Sequence, residues 1–115
     1  MATKQAKIKK DGTRVYNISE SKSRKGDLAE YYAVTWLWDN GYEVFRNAGC
    51  TGPVDMVATK DNKVILIDVK TTRKDYRKGI RTVKSSRTQE QKDMGVVFLA
   101  FDPETRKLRW VDHKE

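Results

Sequence analysis

The sequence has 115 residues, enough for one domain with a single hydrophobic core and too few for a second domain of ordinary size. Its formal net charge of +8 indicates an acidic partner, either nucleic acid or an anionic membrane surface. The longest apolar run, Val96 to Phe101, is far shorter than the roughly 20 residues that a membrane-spanning helix needs, so no span is expected.

The chain has one cysteine and one histidine, and this limits its redox and metal chemistry. Cys50 has no partner for an internal disulfide, which fits a reducing compartment. No apolar stretch follows the basic N-terminus, so we expect no secretory signal and a cytoplasmic or nucleoid-associated protein. Zinc sites use several Cys and His ligands, and Cys50 and His113 are too few. A bound metal should be a hard cation held by carboxylates, and no small-molecule organic cofactor is expected.

The first 22 residues are rich in lysine and contain Asp11-Gly12, a dipeptide typical of tight turns. Short basic and β-branched runs flank that dipeptide, so the segment predicts either a hairpin or a basic arm. We therefore divide the chain into an N-terminal arm or hairpin, residues 1–22, and a folded domain, residues 23–115.

A helix is predicted from about Arg24 to Asn40, where Asn40-Gly41 suits a C-terminal cap. Its apolar side chains cover most of the circumference, which predicts a helix that is largely buried or shared with a partner subunit. These side chains are Leu28, Tyr31, Tyr32, Val34, Trp36, Leu37 and Trp38. The aromatic members are expected in the core or a dimer interface rather than stacked on bases.

Five strands and a short helix are predicted after the first helix. Ser85 or Ser86 is expected to cap the short helix, which ends at Gly95. The predicted strands are Tyr42–Arg46, Val54–Lys60, Lys63–Thr71, Val96–Phe101 and Leu108–Val111. The order of helix, three strands, helix and two strands predicts an α/β domain with a mixed sheet flanked by helices. Trp110 is expected in the core, and His113, near the terminus, is given no role.

The strongest chemical signal is the register of two strands joined at Asp61-Asn62. If this dipeptide is the tip of a symmetric hairpin, Asp55 faces Asp68. Alternation along the second strand then places Lys70 on the same face as Asp68. Two opposed carboxylates are destabilising without a counter-ion, and Mg²⁺, which prefers carboxylate oxygens, supplies one. The alternative is that Asp68 and Lys70 form a simple ion pair and Asp55 caps a loop.

These residues resemble a known nuclease superfamily. The segment GPVDMVATKDNKVILIDVK looks like the PD-(D/E)XK signature, through Pro53, Asp55 and Asp68-Val69-Lys70. The preceding SRKGDLAEYYAVTWLWDNGYEVFR is similar to the opening helix of archaeal-type Holliday-junction resolvases, through Lys25-Gly26 and Glu30. The resemblance implies a restriction-endonuclease-like fold. The sequence departs from the PD-(D/E)XK pattern at Pro53-Val54-Asp55, where one residue separates the proline from the aspartate.

The resemblance also implies roles for individual residues. Glu30, Asp55 and Asp68 would share one or two Mg²⁺ ions, for which Mn²⁺ may substitute, with the backbone carbonyl of Val69 as a further ligand. Lys70 would act on the attacking water. Related nucleases often carry a glutamine on the helix after the lysine strand, which is Gln89 or Gln91 here. For Glu30 the alternative is a solvated helix position, but it shares a helical face with Val34 and Leu37.

Basic residues cluster before the first helix and after the lysine strand, on both sides of the predicted site in sequence. Such clusters indicate phosphate contacts, which position a duplex without reading its bases. The predicted nucleic-acid contacts are Arg24, Lys25, Arg73, Lys74, Arg77, Lys78, Lys84 and Gln91.

Taken with the resemblance, the sequence predicts a metal-dependent DNA endonuclease that selects branched DNA as Holliday-junction resolvases do. A homodimer is expected, since cutting two strands requires two active sites. A nickase, a restriction-like nuclease or a flap-type nuclease of the same fold is an alternative. A non-catalytic basic DNA-binding module is an alternative of another class, although clustered acids would repel DNA in the absence of metal.

Overall fold

The structure is a computed structural model that describes residues 7–8, 14–15, 22–75, 77 and 79–113. Its helices and strands are β1 (Lys7–Ile8), β2 (Arg14–Val15), α1 (Lys22–Asp39), β3 (Glu43–Arg46), β4 (Met56–Lys60), β5 (Lys63–Thr71), β6 (Arg73–Asp75), β7 (Ile80–Thr82), α2 (Gln89–Met94), β8 (Val97–Phe101) and β9 (Leu108–Trp110).

A five-stranded sheet in the order β3-β4-β5-β8-β9 forms the centre of the domain. Neighbouring strands are antiparallel except for β5 and β8, which are parallel because the chain crosses over through α2 between them. The predicted α/β architecture, a mixed sheet with helices beside it, is confirmed.

The hairpin of β4 and β5 has the predicted register. Asp61 and Asn62 both have positive φ, 52° and 64°, as a two-residue type I′ turn requires. The strand pairs then run from Lys60 opposite Lys63 to Met56 opposite Ile67. β4 begins at Met56, two residues later than predicted.

The core lies between α1 and one face of the sheet. Ala33 and Leu37 on the helix, and Ile67 at the centre of the sheet, have no exposed surface. Tyr31 and Trp38, in contrast, point outward and are 61% and 60% exposed. Within this chain α1 is therefore not largely buried, because only one side of the helix packs on the sheet, and the alternative of a surface shared with a partner subunit stays a prediction.

The face of the sheet opposite α1 carries the predicted site residues. Alternation along β5 places Leu66, Asp68 and Lys70 on this face, since Ile67 points to α1. Val64, at the outer end of β5, is 66% exposed, so this face is open to solvent at that end.

Three further details correct the sequence-based expectations. Thr88, and not Ser85 or Ser86, caps α2, in a capping box with Gln91. The basic segment after β5 contains a hairpin, β6 paired with β7, that was not predicted. Trp110 is 37% exposed on the edge strand, where its ring meets Trp36 edge-on at 5.7 Å, so it is not a core residue.

In the N-terminal segment, β1 and β2 pair as antiparallel strands. The predicted turn at Asp11-Gly12 lies outside the described residues, and the division into residues 1–22 and 23–115 stays a prediction. Within the described part of the chain, no helix combines the length and apolar character needed to cross a membrane.

Candidate active site

Asp55 and Asp68 come together at the end of the β4–β5 hairpin. Met56 opposite Ile67 is the last strand pair, and the backbone N–H of Asp55 donates to the carbonyl of Ile67 at 2.8 Å. Oδ2 of Asp55 accepts the backbone N–H of Val69 at 2.7 Å. The two acids therefore occupy the next opposed positions, as the register predicted.

Burial, a side-chain hydrogen bond with Asp68 and the negative charges of Asp68 and Glu30 together raise the pKa of Asp55 from an ordinary 3.8 to about 7. The hydrogen bond from the Val69 N–H acts in the opposite direction. Two facing carboxyl groups are most stable when they share a proton or face a cation. The raised pKa indicates that the ammonium group of Lys70, 3.3 Å from Asp68, does not fully offset the charge of the two carboxylates.

Of the two candidate glutamines, Gln91 contacts the acid pair and Gln89 does not. Its side chain is 5% exposed, and its Nε2 donates to Oδ2 of Asp68 at 2.7 Å and to the carbonyl of Pro53 at 2.9 Å. Its Oε1 accepts the N–H of Thr88 at 3.0 Å. Gln89 instead donates to Asp93 at the surface. The structure thus places Gln91 against the acid pair. A contact with DNA, as predicted, would require this side chain to be at the surface.

Lys70 stands beside Asp68, with 3.3 Å between Nζ and Oδ2. The ammonium group also lies 5.2 Å above the ring of Phe98. His113 supports that ring edge-on at 5.2 Å, and its Nε2 accepts the backbone N–H of Phe98 at 3.0 Å. His113 therefore has a structural role near the site, contrary to the expectation that it has none.

Glu30 approaches the acid pair from the middle of α1. Its carboxylate lies 3.8 Å from Arg46, at the end of β3, and its side chain is 23% exposed. Partial burial raises the pKa of Glu30, Arg46 lowers it, and Asp27 and Asp68 raise it. Arg46 lies over the ring of Tyr31 at 4.9 Å. Arg46 was not predicted, although its position at the end of a strand and before a glycine-containing loop was visible in the sequence.

Asn47 shapes the loop that leads into Asp55. Its Nδ2 donates to the carbonyls of Thr51 and Val54 at 2.6 and 2.9 Å, and its Oδ1 accepts the N–H of Gly49. Its backbone N–H donates to the carbonyl of Asp55 at 2.9 Å. One side chain thus holds both ends of the loop and fixes the entry into β4.

Most of the predicted nucleic-acid contacts are exposed side chains. Arg73, Lys74 and Arg77 are exposed on or beside the β6–β7 hairpin, and Lys84, also exposed, pairs with Asp75 at 3.1 Å. Arg24 is exposed and Lys25 half-buried on the first turn of α1. Lys78 lies outside the described residues.

The donor set at Asp55, Asp68 and the Val69 carbonyl consists of hard oxygens, which suit Mg²⁺ or Mn²⁺. Among the described residues, no three acidic, histidine or cysteine side chains converge as a preformed metal site. Glu30 pairs with Arg46 instead of completing the set. The residues fit a hard cation held by two aspartates, with Glu30 as a third donor only after it leaves Arg46.

Comparison with known proteins agrees with this geometry. The profile of the Hjc family, archaeal Holliday junction resolvase, matches residues 21–91, more than half of the chain. The chain belongs to the Hjc family. The matched span contains all the residues predicted to be catalytic, together with α1, the β4–β5 hairpin and Gln91. No curated protein matches the chain.

Two solved structures are similar to this member of the Hjc family. A bacterial homing endonuclease aligns with a TM-score of 0.63 and 22% identity over 79% of this chain and 64% of its own, so the chain spans less than two thirds of that protein's length. Hjc of Archaeoglobus fulgidus, a Holliday junction resolvase from an archaeal hyperthermophile, aligns with a TM-score of 0.50 and 21% identity over 79% of each chain. These likenesses show the restriction-endonuclease-like fold.

Proposed function

We propose that the chain is a metal-dependent endonuclease that hydrolyses phosphodiester bonds in DNA and prefers four-way junctions. Membership of the Hjc family supports the substrate, because the family is described as Holliday junction resolvases. The observation that carries the proposal is the acid pair, in which Asp55 and Asp68 meet at the end of a hairpin with Lys70 beside them.

Asp55, Asp68 and the carbonyl of Val69 would hold the cation, with Glu30 as a further donor. When bound, Mg²⁺ or Mn²⁺ supplies Lewis-acid activation of the scissile phosphate and of the attacking water. Lys70 contributes the protein's own positive charge, since its ammonium group can hydrogen-bond the attacking water and offset the charge that develops on the phosphate.

Gln91 positions the acid pair. By donating to Asp68 from a buried site it fixes one carboxylate oxygen, and the Val69 N–H fixes Oδ2 of Asp55 in the same way. The remaining oxygens of the two carboxylates then have defined directions. Preorganisation of this kind reduces the rearrangement needed when substrate binds.

The exposed basic residues of the β6–β7 hairpin, Arg73, Lys74 and Arg77, follow directly after the strand that carries Lys70. We assign them to contacts with phosphates that flank the cleavage site. Such contacts orient DNA by its backbone and shape, which suits a junction-selective enzyme better than a sequence-specific one.

A homodimer would give the two active sites that resolution of a junction needs. Tyr31 and Trp38 expose about three fifths of their surface on one side of α1, and aromatic side chains are enriched at protein interfaces. A dimeric mass in light scattering, reduced to that of a monomer by Trp38→Glu, is the expected result. A wild-type monomer at working concentration would contradict it.

The function is tested by cleavage of labelled four-way junction, flap, single-stranded and linear duplex DNA in Mg²⁺. We expect cutting of the junction that EDTA abolishes, and a loss of about a thousandfold or more in Asp68→Asn and Lys70→Ala. Lys63→Gln, a charge change on the exposed far end of β5, is the matched control and should cut normally.

Binding of the metal can be followed without activity. Millimolar Mg²⁺ should raise the melting temperature of the wild type and not that of Asp68→Asn, since a ligand stabilises the state that binds it. Junction cleavage that persists in Asp68→Asn would exclude the proposed site. DNA binding without cutting on any substrate would favour the non-catalytic module.

A further inference from the structure

The sheet face that carries Asp68 and Lys70 continues onto strands that the proposed mechanism does not use. Lys70 is paired with Ala100 on β8, and Ala100 with Arg109 on β9. Paired positions on neighbouring strands point to the same face. Arg109 therefore lies on the face of Lys70, two strands away, with a separation of about 10 Å between the two Cα atoms at ordinary strand spacing.

Beside Arg109, the turn between β8 and β9 borders a cavity of about 340 Å³. Three cationic side chains, those of Arg81, Lys107 and Arg109, line it together with a single carboxylate, that of Asp102. Ala100 contributes to its apolar surface. The cavity is thus a cationic recess at the edge of the face that holds the acid pair.

The acidic groups near the cavity are already engaged. Oδ1 of Asp102 accepts the N–H groups of Glu104 and Thr105 at 2.9 and 3.3 Å and lies 3.4 Å from Nε of Arg81. Glu104 in turn binds Nη1 of Arg81 at 2.9 Å. The charge of Arg81 is therefore balanced by carboxylates that the turn holds in place.

Lys107 and Arg109 have no such compensation. Both are exposed, and in the part of the chain that the structure describes neither side chain forms an ion pair. Two cations without acidic partners at the mouth of a recess attract an anion. Arginine is especially suited to phosphate, which its planar group binds through two parallel hydrogen bonds.

The wall of the recess is fixed before any ligand arrives. Arg81 donates to the side-chain oxygen of Thr72 at 3.2 Å and to its carbonyl at 2.9 Å, and Thr72 is 3% exposed. Thr72 also ties the end of β5 to β8, because its N–H donates to the carbonyl of Phe101. A wall held at both ends loses little conformational freedom on binding.

We propose that this recess, through Lys107 and Arg109, binds a backbone phosphate of the DNA strand that is cut at Asp68. The inference rests on the proposed function and adds a second subsite to it. About 10 Å along a duplex corresponds to about three phosphates of one strand, so the bound phosphate lies a few nucleotides from the cleaved bond. The recess fixes the position of the cut relative to the backbone.

The test is binding of a fluorescent four-way junction, measured by anisotropy over a series of salt concentrations. In the binding assay every variant carries Asp55→Asn so that the DNA stays intact, and cutting is measured separately with the wild type. We expect the double variant Lys107→Gln and Arg109→Gln to bind about tenfold more weakly in about 0.1 M salt, and the slope of log affinity against log salt to fall by about 1. Lys107→Gln alone should give a smaller loss.

Lys63→Gln is the control, since it removes one lysine from the far end of β5 on the face that α1 covers. It should change affinity by less than about twofold and leave the salt slope as it was. A double variant that matches this control, while the wild type still cuts DNA, overturns the subsite and leaves the proposed function intact. A wild type that neither binds nor cuts DNA overturns both. Melting temperatures near that of the parent protein show that a loss is not one of folding.

Discussion

The acids of the candidate site are held in two different ways, one by the sheet and one by the helix. Asp55 and Asp68 lie at the end of the β4–β5 hairpin, where Asp55 accepts a hydrogen bond from a backbone N–H and Asp68 one from a buried amide, both at 2.7 Å. Glu30 stands on α1 and is held by one partly exposed ion pair at 3.8 Å. Short hydrogen bonds from fixed donors restrict a carboxylate far more than a long ion pair between flexible side chains does.

This difference indicates a division of labour. Asp55 and Asp68, the sheet acids, form a rigid site for a cation, although their two carboxylates are then in contact. Glu30 is the helix acid. The helix acid is free to exchange Arg46 for another cation. We therefore expect changes at the sheet acids to have large effects on stability, and changes at the Glu30–Arg46 pair to have small ones.

The largest effect is expected at Gln91. Gln91→Leu keeps the volume but removes the donor to Asp68 and Pro53 and the acceptor for Thr88 N–H, so three part-buried hydrogen bonds are lost. The free energy of unfolding should fall by about 3 kcal/mol in urea denaturation. Gln89→Leu, on the exposed side of the same helix, should change it by less than about 0.5 kcal/mol. Equal losses in the two variants would show that the amide of Gln91 does not hold the acid pair.

The features predicted well from the sequence are those set by short-range chemistry. The Asp61-Asn62 turn determines the register, and alternation along β5 then determines which side chains share a face with Asp68. The end of α2 at Gly95 likewise follows from a local need for positive φ. These rules involve a few neighbouring residues, so one sequence is sufficient to apply them.

The features that were missed depend on contacts between distant parts of the chain. Gln91 could not be told from Gln89 because both lie on α2, and only the packing of that helix on Pro53 and Asp68 distinguishes them. Arg46 and His113 reach their partners through tertiary structure in the same way. The sequence left Tyr31 and Trp38 open between the core and a dimer interface, because an apolar circumference does not reveal which arc meets the sheet.

A smaller effect, dependent on pH, is expected at Asp55. Burial raises its pKa to about 7, so between pH 4 and 7 the folded protein retains a proton that the unfolded chain releases. Without divalent metal, the free energy of unfolding of the wild type should therefore fall as the pH rises through this range. Asp55→Asn removes the charge and should be more stable than the wild type at pH 8 by about 2 kcal/mol, a figure discounted for solvent screening.

Denaturation in EDTA at pH 4.5 and pH 8 measures this difference, and it should nearly vanish at the lower pH. Asp61→Asn is the control, because it makes the same change in an exposed turn whose positive φ suits asparagine. If the stabilities of Asp55→Asn and Asp61→Asn respond alike to pH, Asp55 does not face Asp68 as the register of the hairpin predicts.

The smallest effect is expected at the helix acid. Arg46→Gln removes an ion pair with Glu30 and a contact with the ring of Tyr31, both at a partly exposed position. The free energy of unfolding should fall by about 1 kcal/mol, and by less in high salt, which screens such pairs. Since Arg46 lowers the pKa of Glu30, the variant should raise it further, as measured by NMR titration of the labelled carboxyl. Lys63→Gln should leave that pKa unchanged. A loss at Arg46 as large as that at Gln91 would mean that the helix acid is held as firmly as the sheet acids, and the distinction between the two halves of the site would fail.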